Sequence, residues 1–595
     1  MAGSWEPLIY RVRRDDISNA EHKITPQQMK LYKQEHSQQM VDELKKLGVN
    51  FVMTHCYKAF GLNAEKQGME DAAKFSALCH DNGVRTGCYV FSGTLGWEIL
   101  RKEAPESKDW ELLDAEGQPI PYPGKPYRHF FNRNNPGVQN YLHKVVDFAI
   151  NDMNVDLLHM DNYTYAVGFD RVSIERFRKY LKRYYKPSDL GVQDFETIMP
   201  PKEPDQNTEI GRAWIDFGSQ SMAEAYYDMS KYARSVRPNI LMEINTCQFG
   251  DRITVPTDHG RCFRYGEAFW DEGVEPAYKD GQFETRQIVY KTGQTMDNLV
   301  FVYIRNPLQA AESLTYNTDC LGCICQFEYA KITVPSGDPL VQSVSPELLP
   351  YVRFFHEQRP YYRNAARMPD IAVLRSFPSQ RYCPDTAWQT TSRFEQYCIA
   401  NSIPWALIFD QNLASLSKYR ALCLVGANAL SDKQVDQIRK YAKSGGGLVL
   451  TEETGRYDER MKERASNPFS DLAGSKVVRV KADAGKEEAI AAMKTASGGS
   501  FSVSVSAAPS VVTEMTEQTK EKRRLIHLIN YSPDTPVDNA TVDISVPSGW
   551  KVKRVVMMTP ASPTPMPISF RRDRDRITLQ VPRLDVYGLI SVETR

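Results

Sequence analysis

The chain has 595 residues, which is too long for a single hydrophobic core, so its length predicts two to four domains. Lysine plus arginine and aspartate plus glutamate each number 74, and the formal net charge is zero. This composition lacks the basic excess of a nucleic-acid-binding protein, and no segment approaches the ~20 apolar residues of a membrane helix. We therefore expect neither a nucleic acid nor a membrane as a partner.

The first part of the chain alternates apolar strand-like runs with amphipathic helical stretches, which indicates a parallel sheet covered by helices. Helices are predicted over residues 27–47, 68–82, 137–151, 173–185 and 209–236. Strands are predicted over residues 8–12, 50–54, 85–91, 155–158, 240–244, 263–269, 299–304 and 322–327. Eight such units fit a (β/α)₈ TIM barrel with inserted loops. No G-x-G-x-x-G motif follows the first strand, so a dinucleotide-binding fold has no support.

The rest of the chain changes pattern twice. Short strands and helices from about residue 368 indicate a three-layer α/β domain, and alternating strands from about residue 511 indicate an antiparallel β-sandwich. The predicted domains are therefore residues 1–367, 368–508 and 509–595.

The 11 cysteines do not form a metal-binding motif. Cys320, Cys323 and Cys325 lie in an apolar segment without accompanying histidines, which favours a buried strand over zinc. No metal and no cofactor are predicted. Residues 1–5 lack the apolar core of a signal peptide, which leaves the localisation open between cytoplasm and periplasm.

Three segments of the α/β domain carry a family resemblance: residues 419–425 (YRALCLV), 430–434 (LSDKQ) and 441–451 (YAKSGGGLVLT). Together they resemble the trimerisation domain of family 42 β-galactosidases. The resemblance implies a barrel, a flavodoxin-like domain and a small C-terminal sandwich in that order. It also implies a homotrimer that hydrolyses a glycoside.

The barrel departs from family 42 at the end of the fourth strand. That family carries Asn-Glu there as its acid/base, whereas this chain has Asp161-Asn162. An aspartate at this place is similar to the nucleophile of retaining α-glycosidases, including the α-L-fucosidases of families 29 and 151 and the α-galactosidases. The barrel resemblance therefore implies a glycoside hydrolase of the α-L-fucosidase or α-galactosidase type.

Glycoside cleavage needs two carboxyl groups that flank the scissile bond, one ionised and the other protonated. We predict Asp161 as the nucleophile, because the carboxyl ends of barrel strands carry the chemistry. For the acid/base we choose Glu267 from the sixth strand, with Glu243, Asp271 and Glu328 as alternatives. Each of these acids also fits a structural role, such as a helix cap or an ion pair with arginine.

Other polar and aromatic residues at predicted strand ends are candidates for binding the sugar. They are His55, Lys58, His159, Asn162, Tyr163, Glu243, Asn245, Trp270, Asp271, Arg305 and Glu328. An alternative interpretation makes Asp161 the general acid and Glu328 the nucleophile of a β-glycosidase such as a β-galactosidase. A third interpretation is a trimeric scaffold that binds glycans without cleaving them.

Overall fold

A computed structural model describes residues 1–3, 5–13, 24–91, 93–164, 167–203, 205–246, 257–326 and 344–595. The chain divides into two compact units. One comprises Met1–Glu272, Phe301–Ile304 and Gly322–Pro346, and the other comprises Gly273–Val300, Arg305–Leu321 and Glu347–Arg595. Among the described residues, none of the helices combines the length and apolar character needed to cross a bilayer.

Eight parallel strands form the main sheet. They are β1 Ala2–Gly3, β2 Phe51–Tyr57, β3 Arg85–Phe91, β4 Leu157–Asp161, β5 Leu241–Asn245, β6 Ala268–Asp271, β7 Leu299–Val302 and β8 Cys325–Gln326. Their order in the sheet is β7-β6-β5-β4-β3-β2-β1-β8. A parallel bridge between Tyr303 and Cys323 joins the two edges, so the sheet closes on itself. The predicted barrel is confirmed.

Several helices of the first half of the chain begin at a residue whose side chain caps them. The helices of this half are α1 Leu8–Arg13, α2 Pro26–Glu35, α3 Gln38–Lys46, α4 Leu62–Asp81, α5 Trp97–Glu103, α6 Pro136–Asp147, α7 Arg171–Tyr184, α8 Glu209–Val236, α9 His259–Cys262, α10 Gln287–Met296 and α11 Pro307–Tyr316. The predicted helix 27–47 is divided, because Ser37 caps α3 by accepting a bond from Met40 N. Thr208 caps α8 in the same way, through Gly211 N.

Two predicted barrel strands are displaced. The run 8–12 is helical, since Pro7 precedes it and its carbonyl accepts the first helical bond, from Tyr10 N. The first strand is instead the two-residue β1, which is too short to show any periodicity. The sixth strand was predicted at 263–269, but Phe263–Tyr265 forms a 3₁₀ turn and β6 begins at Ala268. Glu267 therefore precedes the strand.

The long loop after β3 folds into a small antiparallel sheet of Thr94–Gly96, Pro121–Tyr122 and Lys125–Phe130. This sheet begins where the chain passes the end of β4. A Cβ on Gly93 would lie 2.4 Å from the carbonyl oxygen of Asn162, so only glycine permits this approach. The loop thereby stands beside the carboxyl ends of β3 and β4.

The second half of the chain begins with helices α12 Leu349–Glu357 and α13 Arg359–Tyr362. A five-stranded parallel sheet follows, in the order Trp405–Phe409, Ile371–Arg375, Ala421–Cys423, Gly447–Leu450 and Val477–Arg479. Its helices are α14 Phe377–Tyr382, α15 Gln389–Ala400, α16 Asp432–Lys443 and α17 Lys486–Ala496. This is the predicted flavodoxin-like domain.

The triple glycine of this domain has a steric reason. Gly445 has φ +94°, a Cβ on Gly446 would lie 2.2 Å from the Tyr441 ring, and one on Gly447 would lie 2.0 Å from the Ala496 carbonyl oxygen. The turn from α16 into the next strand therefore has no room for a side chain at Gly446 or Gly447, and at Gly445 the positive φ favours glycine.

The C-terminal part is a β-sandwich of two antiparallel sheets around a shared apolar core. One sheet contains Ala366–Arg367, Val511–Gln518, Arg523–Asn530, Tyr587–Thr594, Val552–Met558 and Met566–Pro567. The other contains Val503–Ser506, Val537–Ser545, Arg576–Leu584 and Phe570–Asp573. Because Val503–Ser506 pairs in this sheet, the sandwich starts before the predicted border at residue 509.

Candidate active site

Asp161 ends strand β4 and receives hydrogen bonds from three neighbouring side chains. The Tyr89 hydroxyl and the Asn162 amide donate to its Oδ2. The Asn245 amide, at the end of β5, donates to Oδ1 at 2.9 Å. On the same side, His159 Nε2 lies 3.6 Å from Oδ1. Strands β3, β4 and β5 thus place four side chains around one carboxylate.

These contacts control the charge of Asp161. Burial alone would raise the pKa of the carboxyl group, but the bond and positive charge of His159, the Tyr89 hydroxyl and the Lys58 charge outweigh it. The pKa is held well below its usual range. Asp161 is therefore ionised at neutral pH, which suits a nucleophile and does not suit a proton donor.

His159 is held between two carboxylates. His159 and Glu243 occupy paired positions on β4 and β5, and the Nδ1–H of His159 donates to Glu243 Oε2. Burial lowers the pKa of His159, but Glu243 and Asp161 overcome that effect and raise it to about 10. Burial raises the pKa of Glu243, although His159 opposes this. Because Glu243 is completely buried, it acts on His159 rather than on a ligand.

A second acid lies across from Asp161. Glu272 directly follows β6, and the same Asn245 nitrogen that binds Asp161 donates to Glu272 Oε1 at 3.2 Å. Both hydrogen bonds start from the Asn245 amide nitrogen, so the two acceptor oxygens lie at most about 6 Å apart. If the two N–H groups of this amide diverge by ~120°, the oxygens lie ~5 Å apart. Although Glu272 is a solvent-exposed residue, packing around its carboxyl group and the charge of Asp161 raise its pKa.

Glu267 is not part of this cluster, which corrects its predicted role as acid/base. Its Oε2 accepts a bond from Met242 N at 2.9 Å, and its Oε1 pairs with Arg234 at 2.6 Å. Met242 is the second residue of β5 and Glu267 precedes β6, so this acid lies at the amino ends of the strands. Asp161 lies at the carboxyl ends, and no single sugar contacts both acids.

Several predicted binding residues do lie near Asp161. Lys58, which follows β2, has its ammonium 3.2 Å from the centre of the Tyr89 ring. Trp270 of β6 meets His159 edge to face, with ring centres 5.9 Å apart. Asn162 and Asn245 bind the carboxylate directly, as described above.

Two other predicted residues flank this cluster. Tyr163 N–H donates to the Asn245 carbonyl at 2.9 Å, and the ring packs 4.2 Å from the Arg133 guanidinium carbon. Asp271 is buried at the end of β6.

Three predicted residues are placed differently or are not described. His55 is fully buried, and its Nε2–H donates to the Gly68 carbonyl of α4 at 2.9 Å, which is a structural contact. Arg305 is exposed and belongs to the second compact unit. Glu328 lies outside the described residues.

Two residues of the cluster were not predicted. Tyr89 lies inside β3, and its only sequence signal is that it alternates with Phe91 along the strand. Glu272 follows an apolar strand directly, which is the signal used for Asp161, but it was not among the acids considered for the acid/base.

No family model and no curated protein matches the chain. Solved structures match over nearly its whole length. One is α-L-fucosidase isoenzyme 2 from Paenibacillus thiaminolyticus, at 13% identity and TM-score 0.64, covering 94% of this chain and 96% of that one. Two others are β-galactosidases, each at 10% identity and covering 95% of this chain and 97% of theirs. They come from Bacillus circulans sp. alkalophilus (TM-score 0.69) and Rahnella sp. R3 (TM-score 0.70). The chain therefore shares the fold of these glycoside hydrolases.

Proposed function

We propose that the protein is a retaining glycoside hydrolase in which Asp161 is the nucleophile and Glu272 is the acid/base. The observation that carries this proposal is the single Asn245 amide that binds both carboxyl groups. Retaining enzymes hold their two carboxyl groups about 5–5.5 Å apart, whereas inverting enzymes need about 6.5–9.5 Å. The opposite pKa shifts of the two acids support the same assignment.

In the first step, the Asp161 carboxylate attacks the anomeric carbon, and the leaving oxygen takes the proton of Glu272. In the second step, the ionised Glu272 takes a proton from water, whose oxygen displaces Asp161 from the sugar. Tyr89 and Asn245 hold the nucleophile in one orientation throughout. The cation of His159 keeps the carboxylate ionised before attack and balances its charge when it leaves.

For the sugar, we propose a β-galactoside as the first candidate, because two of the three similar structures named above are β-galactosidases. An α-L-fucoside is the second candidate, favoured by the aspartate at the end of the fourth strand and by the similar fucosidase structure. The alternative in which Asp161 is the general acid is disfavoured, because its surroundings stabilise the ionised form.

The test is hydrolysis of a panel of aryl glycosides by the unchanged protein and three variants. Asp161→Asn should lower kcat by at least about 10³-fold on every substrate that is cleaved. Glu272→Ala should lose little kcat/KM with a 2,4-dinitrophenyl leaving group, because that group needs no protonation, and much more kcat/KM with a 4-methylphenyl group. Glu267→Gln is the matched control, since this acid lies at the opposite end of the strands.

Azide separates the two roles. Added azide should restore Glu272→Ala and give a glycosyl azide of the same anomeric configuration as the substrate. With Asp161→Ala it should give the opposite configuration. If Asp161→Asn is as active as the unchanged protein, the proposal is wrong. If the unchanged protein binds sugars but cleaves none of the panel, the glycan-binding scaffold is favoured.

The resemblance of the flavodoxin-like domain to a trimerisation domain supports a homotrimer, which we propose as the assembly in solution. Sedimentation velocity at micromolar concentration should give three times the chain mass of 67.9 kDa. A species of the single-chain mass alone would contradict the proposal.

A further inference from the structure

Arg128, on the loop sheet that follows β3, has an unusual environment for a buried cation. Its guanidinium carbon lies 4.4 Å from the Phe91 ring and 4.3 Å from the Tyr122 ring, and its Nε donates to Thr94 Oγ1 at 3.0 Å. The residue is 6% exposed, and its buried Nη2 has no acceptor among the described residues. No carboxylate of the described chain forms an ion pair with it. The two rings and Thr94 fix the guanidinium while leaving one donor edge unused.

Lys58 is a second buried cation without an ionic partner. Its ammonium lies over the rings of Tyr89 and Tyr10, at 3.2 and 5.1 Å from their centres. The ammonium group makes no hydrogen bond or ion pair with the described residues, although the backbone N–H of Lys58 donates to Glu65 Oε2 at 2.7 Å. Burial lowers the pKa of Lys58 to about 8. The negative charges of Glu6 and Asp161 oppose this lowering, and the positive charge of Arg128 adds to it. Lys58 thus remains mostly protonated at neutral pH and lies within electrostatic range of Arg128.

Both cations stand beside the nucleophile. Phe91 is paired with Asp161 across β3 and β4, and the Phe91 and Tyr89 rings are stacked with centres 5.9 Å apart. Arg128 packs on the first ring and Lys58 on the second. The described side-chain donors to the Asp161 carboxylate are Tyr89, Asn162 and Asn245, and Arg128 is not among them.

We propose that Arg128 and Lys58 form a subsite for an anionic oxygen substituent on the sugar, a carboxylate or a sulfate ester. A buried guanidinium edge without an acceptor is costly, and a carboxylate or sulfate is the group that pairs with it by two parallel hydrogen bonds. A neutral hydroxyl group accepts a hydrogen bond from one N–H group of this edge but leaves the positive charges of Arg128 and Lys58 unbalanced. This inference rests on the proposed function for the position of the sugar, and it names the substrate class of that site.

The test compares three 4-nitrophenyl glycosides of the sugar that the panel identifies, or of the matching galactoside if that sugar is the 6-deoxy sugar fucose: the neutral form, its 6-carboxylate and its 6-sulfate. One charged form should have a kcat/KM about 10- to 100-fold higher than the neutral form, as expected for a hydrogen bond to a charged group. Which of the two is preferred distinguishes a uronic acid from a sulfated sugar. In Arg128→Gln and, separately, in Lys58→Gln, the charged-to-neutral ratio should fall about tenfold or more.

Arg101→Gln is the matched control. Arg101 also packs on an aromatic ring, with its guanidinium carbon 4.9 Å from Trp97, but it is already paired with Glu111 at 2.7 Å. The ratio should not change in this variant.

Binding gives a readout that does not need turnover. Calorimetric titration of the unchanged protein with galactose, galacturonic acid and galactose 6-sulfate should show tighter binding of a charged sugar, and Arg128→Gln should weaken it. If charged sugars bind in this way but no glycoside is cleaved, the proposed function fails and the subsite stands. Equal or better binding and turnover of the neutral sugar by the unchanged protein would overturn the subsite, whether or not the variants fold.

Discussion

Replacement of Glu243 by glutamine tests the charge arrangement beneath the nucleophile. The wild-type carboxylate holds the pKa of His159 at about 10 instead of 6.5, with help from Asp161. Glutamine keeps the shape and one acceptor but removes a full charge. We expect the pKa of His159 to fall by at least about one unit, equivalent to ~1.4 kcal/mol.

The raised pKa of His159 also makes the free energy of unfolding depend on pH. A histidine whose pKa is raised on folding contributes stability that is fully present below its unfolded pKa, near 6.5, and that is lost as the pH rises through about 10. In Glu243→Gln this pH-dependent loss should be smaller, and it should be complete at a lower pH, because only the folded-state pKa is lowered. Removing one partner of a buried ion pair also costs about 3–5 kcal/mol, so the variant should melt at a lower temperature at every pH.

The assay is carbon NMR of protein labelled with ¹³C-histidine, in which the His159 signal is assigned from its absence in His159→Gln. Melting curves between pH 6 and 10 provide the second readout. Glu267→Gln is the control, because it removes a glutamate that pairs with Arg234 away from the site. A wild-type His159 that titrates near 6.5, or one whose titration is unchanged in Glu243→Gln, would refute the reasoning.

Three further variants have expected outcomes. Tyr89→Phe removes the hydrogen bond from the hydroxyl group to Asp161, so the pKa of that carboxyl group should rise. The acid limb of the pH profile of kcat/KM should then move to higher pH, and an unchanged acid limb would count against the contact. Asn245→Ala removes the amide that binds both acids, so kcat should fall by about 10–100-fold with little change in melting temperature. Unchanged kinetics would show that Asn245 does not position the two acids. Gly446→Ala forces a Cβ to 2.2 Å from the Tyr441 ring and should destabilise the flavodoxin-like domain by about 1–3 kcal/mol, seen as a lower melting temperature, while wild-type melting would contradict the steric account.

The parts of the fold that follow strong local patterns could be predicted from the sequence. Helix α8 has the predicted bounds Glu209–Val236, because its apolar periodicity is long and Thr208 caps it. Strand β4 ends with Asp161 as expected, since a buried apolar run precedes the acid. The α/β fold of the second domain was predicted from its alternating strands and helices, and its flavodoxin-like type from the family resemblance. Ser431 caps α16 as predicted.

The parts that depend on tertiary contacts could not be predicted in this way. Strand β1 has two residues and exists only because β2 and β8 pair with it. Phe263 and Phe269 look like one strand in sequence, but their rings stack at 4.2 Å across a 3₁₀ turn. The predicted strand therefore began several residues too early and included Glu267, which in the structure precedes β6.

The most direct test of the account is to trap the sugar on the enzyme. The protein is incubated with a 2-deoxy-2-fluoro glycosyl fluoride of the preferred sugar, digested, and sequenced by tandem mass spectrometry. The account predicts a single adduct on the side chain of Asp161. An adduct on a different carboxylate, or steady turnover to a product of inverted configuration with no adduct, would contradict it.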